Sequence, residues 1–114
     1  MRLILALALA LAAAPALAAT PQDVFNDKCG DCHTLDAPSM TAPALRGVVG
    51  RKVASLTDFQ YSGALKAKGG TWTDASLDAF IASPKTFAPG TTMTGGASDP
   101  ADRTAIIGYL KTQK

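Results

Sequence analysis

The sequence predicts an all-α domain of about four short helices joined by loops as long as the helices. Three observations lead there. Apolar residues recur at three- and four-residue steps in three places, the spacing of a helix face. Helix-starting residues stand before those stretches, at Thr20, Ser62, Thr73 and Asp99. No segment alternates apolar and polar residues as a half-buried strand does.

The elements are taken in chain order. Met1-Arg2 gives a positive start, residues 3–17 are nearly all Leu, Ala and Ile, and Ala16-Leu17-Ala18 is a small-x-small cleavage pattern. This reads as a secretory signal peptide over residues 1–18, removed to leave a domain over 19–114. The apolar run is shorter than the roughly 20 residues that span a bilayer, so a periplasmic location without stable membrane insertion is expected. Thr20-Pro21-Gln22-Asp23 then looks like a helix start, with Thr as N-cap, Pro at the first position and an acid near the positive end. Val24, Phe25, Lys28, Cys29 and Cys32 continue at helical spacing. Residues 34–60 hold Pro38, Pro43, Gly47 and Gly50 with little periodicity and read as loops. Ser62 caps a short helix ending at Gly69-Gly70. Thr73 caps another with Leu77, Phe80 and Ile81 on one face, stopped by Pro84. Residues 84–98 read as a long packed loop. Asp99-Pro100 opens the last helix, with Ile106, Tyr109 and Leu110 on its face.

Charge narrows the function. The full chain has 11 basic against 9 acidic residues, all the acids being Asp, for a net charge of +2. Loss of Arg2 with the leader brings the mature chain closer to neutral, which argues against a nucleic-acid partner. A chain this short buries only a modest share of its surface, so a large apolar cofactor would help to build its core.

The chemistry is concentrated in Cys29-Gly30-Asp31-Cys32-His33. These residues include both cysteines and the single histidine. On a helix, Cys29 and Cys32 share a side, and His33 comes next, rotated by roughly 100°. Two thiols can then add to two vinyl groups at the rim of a flat disc, while the imidazole reaches its centre. C-x-x-C-H is the attachment pattern of c-type haem. Three other readings compete. A disulfide suits an oxidising compartment. A thioredoxin-like pair expects a βαβ pattern that is not visible here. A structural zinc site wants four ligands where the motif offers three.

For haem, His33 supplies one axial ligand, and with no second histidine the other is expected to be a methionine, which raises the reduction potential. Met40 and Met93 are the candidates. Met93 lies in a loop stiffened by Pro84 and Pro89 and held by a helix at each end. Met40 sits between Ser39 and Thr41 in a polar loop, where exposure is the expected fate.

The motifs together carry a resemblance. Phe25 stands four before Cys29. Then come Cys29-x-x-Cys32-His33, Pro43-x-Leu45-x-Gly47-x-x-Gly50-Arg51, Phe59-x-Tyr61-Ser62, Trp72, Leu77, Pro84, Pro89-Gly90-Thr91-x-Met93 and Ile107-x-Tyr109-Leu110-Lys111. From about Pro21 to Thr112 the chain resembles the class I cytochromes c, in the branch close to mitochondrial cytochrome c and its bacterial periplasmic relatives. The resemblance implies the small cytochrome c fold, wrapped around one covalently bound haem c. It implies thioether bonds at Cys29 and Cys32, and His33 and Met93 as iron ligands. It gives Pro43 a hydrogen bond to His33, and sets Arg51, Tyr61, Trp72 and Thr91 around the haem propionates. Phe25 would pack on Tyr109 and Leu110. Lys28 and Lys85 match lysines that ring the docking edge.

There are departures from the family pattern. Ala42 stands where Gly is frequent, the loop between His33 and Pro43 is shorter than in the mitochondrial form, and Phe80 replaces a tyrosine near the ligand sulfur. Leu65 replaces an asparagine, Thr92 a docking lysine, and Thr94-Gly95-Gly96 lacks an aromatic. Asp99 and Asp102 add negative charge beyond the loop.

The expected function is a monomeric single-electron carrier between a donor and an acceptor redox protein, and not an enzyme. Two alternatives are a fixed electron-transfer subunit of a dehydrogenase, and a peroxidase or gas-binding protein whose distal site opens.

Overall fold

In the computed structural model, which describes residues 9–10 and 18–114, the first helix is α1, Pro21–Cys29. Most of the expected leader, residues 1–8 and 11–17, lies outside the described residues. Thr20 and Asp23 start α1 reciprocally. The Asp23 N–H donates to Thr20 Oγ1 at 3.2 Å, and the Thr20 N–H donates to Asp23 Oδ2 at 3.0 Å. Two donors that the helix would otherwise leave unpaired are satisfied in this way. α1 ends at Cys29, so Cys32 is not on the helix as expected. Cys32 and His33 lie beyond it, their N–H groups both turned onto the Cys29 carbonyl, at 3.2 and 2.9 Å. Gly30 permits this turn, because a Cβ there would collide with the Asn26 carbonyl.

The remaining helices are α2, Gly63–Lys68, α3, Asp74–Ala82, α4, Pro84–Phe87, and α5, Pro100–Thr112. Ser62, Thr73 and Asp99 cap α2, α3 and α5 through their side chains. The single turn α4 is the departure from expectation: Pro84 stops α3 and also starts a new helix, since proline suits the first helical position. No strand forms among the described residues. One isolated antiparallel bridge joins Lys52 and Thr71.

α5 is the hub. α1 and α3 pack on it, and α3 also meets α4. Ile106, Ile107 and Leu110 form its buried face, with Ile106 wholly inaccessible. Phe25 of α1 meets Tyr109 of α5 with ring centroids 5.1 Å apart, as the family pattern implied. Two ion pairs clasp α3 to α5, Asp78–Arg103 at 2.8 Å and Asp74–Lys111 at 2.9 Å. Arg103 also donates to the carbonyls of Ala97 and Ser98, at 3.1 and 2.8 Å, and so fixes the end of the loop that carries Met93. Among the described residues no helix is long and apolar enough to cross a membrane.

Candidate functional site

Apart from Met40, the candidate residues for holding haem reach one cavity. Cys29, Cys32, His33, Pro43, Arg51, Tyr61, Trp72, Thr91 and Met93 all line a space of about 290 Å³. Leu65, Leu77, Phe80, Ile81, Ile106 and Leu110 make much of its wall apolar. Exposed lining residues, among them Asp31 and Thr92, carry it to the surface.

The loops are tied so that distant residues meet there. The Gly50 N–H donates to the Trp72 carbonyl at 2.7 Å and the Trp72 N–H to the Arg51 carbonyl at 2.9 Å, which sets Arg51 beside Trp72. Trp72 packs against Phe80 and Phe87, centroids 5.2 and 5.8 Å away. The Leu56 N–H donates to the Tyr61 hydroxyl at 3.3 Å. On the Met93 side, Thr91 is a buried polar residue whose Oγ1 accepts from the Met93 N–H at 3.4 Å.

His33 Nδ1 lies 2.9 Å from the Pro43 carbonyl. A carbonyl only accepts, so Nδ1 carries the proton and Nε2 keeps a free lone pair. Burial lowers the His33 pKa; the Pro43 carbonyl opposes that and Arg51 adds to it. The imidazole at neutral pH therefore favours its neutral form, with Nε2 available as a donor. Burial, with Cys32 beside it, pushes the Cys29 thiol up to about 11. Redox-active thiols work the other way, through a lowered pKa, and both cysteines are unpaired. Among the described residues no three His, Cys, Asp or Glu side chains gather as a metal site.

The two methionines differ sharply. Met93 is half-buried and packs against the core. Met40 is 101% exposed. Arg51 donates to the Ala44 carbonyl at 3.0 Å and the Arg46 carbonyl at 3.5 Å. None of the ion pairs among the described residues includes it. Burial holds its pKa below the usual arginine value, while Tyr61 and Asp58 pull it back up.

The cytochrome c family profile matches residues 18–114. The chain belongs to the cytochrome c family. Cytochrome c of Tetrahymena pyriformis is 38% identical over 96 residues, covering 83% of this chain and 87% of that protein. A "cytochrome c-type cyt cy" of Rhodobacter capsulatus is 41% identical over 96 residues, 83% of this chain and 48% of the relative. Among solved structures, cytochrome cH from Methylobacterium extorquens superposes with a TM-score of 0.75 at 39% identity, over 81% of this chain and 94% of that one. The chain spans about half the length of the first curated relatives it matches.

Cytochrome c membership brings covalently bound haem c as the cofactor. The residues present fit it. The cavity is largely apolar, as a porphyrin face requires. It brings together two protonatable thiols, a neutral imidazole with a free lone pair and a thioether. Arg51 adds a half-buried cation that makes no ion pair among the described residues, which suits a group carrying carboxylates of its own.

Sequence reasoning missed three features: the Arg103 clasp, the Arg46–Asp36 pair that closes the loop after His33, with Nη2 to Oδ2 at 3.0 Å, and the extra turn α4. The two ion pairs join residues 25 and 10 positions apart, beyond the reach of any local pattern.

Proposed function

We propose that this protein is a single-electron carrier between redox proteins outside the cytoplasm, in which His33 and Met93 would ligate the haem iron and Cys29 and Cys32 would carry the thioether bonds. The observation that carries this is the pairing in one cavity of a fixed, neutral His33 with a half-buried Met93, while Met40 points to solvent. Haem c supplies reversible one-electron chemistry at its iron. His33, oriented by Pro43, and Met93 offer two neutral donors, which favour the ferrous state. Arg51, Tyr61, Trp72 and Thr91, which line the same cavity, would meet the propionates. The apolar wall keeps water from the reacting centre.

The chain has no glutamate, and His33 is its single histidine. With His33 engaged as a ligand, few groups remain for acid–base catalysis, which supports a carrier rather than an enzyme. Residues 1–18 are a leader cleaved on export, and the family match from residue 18 onward supports that boundary. Lys28, at the cavity edge, and Lys85, on α4, steer a redox partner toward the mouth; the carrier works as a monomer.

The mature protein tests this. Its mass should equal residues 19–114 or 20–114 plus one haem, acid–acetone should leave the haem on the chain, and a redox titration should fit one electron. Extractable haem, a mass retaining residues 1–18, or a titration of more than one electron contradicts the reading.

A further inference from the structure

Between residues 18 and 114 a single large apolar side chain is exposed, and it is fully exposed: Met40. The turn that carries it is tightly pinned. Ser39 Oγ accepts from the backbone N–H of Thr41 at 3.3 Å and of Ala42 at 3.1 Å, and donates to the Cys32 carbonyl at 3.0 Å. The Ser39 N–H closes the turn on the Ala42 carbonyl at 2.8 Å. Met40 is thus the tip of a closed turn, and the pin reaches back into the cysteine motif. Thr41, Ala42 and Pro43, the next three residues, line the cavity.

An isolated exposed apolar residue is ordinary on a protein surface. Met40 differs in its pinned turn and in standing next to Thr41, which lines the cavity. Lys28 lines the cavity together with Asp31, and lies 3.7 Å from Asp27. The exposed charged residues of that lining are thus one lysine and one aspartate. Thr92, Thr94 and Gly95, exposed on the Met93 side of the mouth, carry no charge. Such a rim has no cationic excess with which to hold an acidic surface.

We propose that Met40 is the apolar anchor that seats this protein on its electron-transfer partner, and that the partner presents an uncharged, apolar protein surface at that contact. The inference rests on the electron-carrier reading above. Met40 governs how long the complex lasts. A methionine moulds itself to an irregular apolar surface. A preordered turn adds little further loss of freedom on docking.

The test uses the holoprotein on gold electrodes coated with methyl-terminated or carboxylate-terminated alkanethiol monolayers. Wild type should adsorb more tightly and exchange electrons faster on the methyl surface. Met40→Ser should weaken that adsorption by about tenfold, the factor expected for losing burial of most of one apolar side chain. Met40→Leu should retain it. Both variants should keep the wild-type solution potential and visible spectrum. Tighter adsorption of wild type on the carboxylate surface overturns the proposal, and so does Met40→Ser behaving as wild type on the methyl surface. Absence of a reversible one-electron wave in solution, for wild type, would instead overturn the carrier reading itself.

Discussion

Two neighbours act on His33 at once, and both suit the donor role proposed for it. Pro43 fixes its tautomer, and burial keeps it neutral. Arg51 is its electrostatic counterpart: a half-buried cation in the same cavity. Removing that charge should favour the ferric state. Arg51→Gln should lower the midpoint potential by roughly tens of millivolts, where 59 mV is a tenfold change for one electron. An unchanged potential in a redox titration would mean that the guanidinium charge is not felt at the iron. At this scale the site was legible where chemistry is local. The C-x-x-C-H run, the exposed fate of Met40 and the loop position of Met93 could all be read from neighbouring residues. Arg103 could not, because its role depends on Asp78, Ala97 and Ser98 meeting only in the fold.

The helices were legible through their caps, and the differences between sequence and structure fall at a glycine and a proline. Cys32 keeps helical spacing in the sequence, yet Gly30 lets the chain turn away. Pro84 reads in the sequence as a stop alone, although its ring also suits a start. The α1 cap makes two testable statements. Thr20→Ala should cost about 1 kcal/mol in denaturant unfolding of the holoprotein. The Thr20 backbone N–H, then its hydroxyl, hold Asp23 below its usual carboxylate pKa. A depressed carboxylate stabilises the fold above its unfolded pKa and loses that contribution as pH falls through the folded value. Asp23→Asn should therefore be destabilising at pH 7, and the deficit should shrink as pH falls through the depressed pKa of the folded state. A deficit independent of pH would show that the carboxylate charge contributes nothing. In the Met93 loop, Gly96 has φ +149°, and a Cβ there would collide with the Ile81 carbonyl, which accepts from the Ala97 N–H at 2.9 Å. Gly96→Ala should cost about 1–3 kcal/mol and loosen Met93, read as faster binding of carbon monoxide to the ferrous protein. Wild-type stability and binding rate in that variant would mean that the close approach does not constrain the loop.

Across the whole molecule, α5 organises the protein side of the core, and the haem completes it. The apolar wall that includes Leu65, Phe80, Ile106 and Leu110 faces the cavity, so the fold is underpacked without its cofactor. The all-α class and the order of elements were legible because caps and periodicity act locally. The convergence of residues 29 to 93 on one cavity came from matched motifs, since no single stretch encodes it. The central claim is the pairing of His33 with Met93 across that convergence. The most direct measurement is the ferric visible and near-infrared spectrum of wild type, Met93→Ala and Met40→Ala. Wild type and Met40→Ala should show the sulfur-to-iron charge-transfer band, and Met93→Ala should lose it. A band that survives in Met93→Ala, or disappears in Met40→Ala, contradicts the assignment.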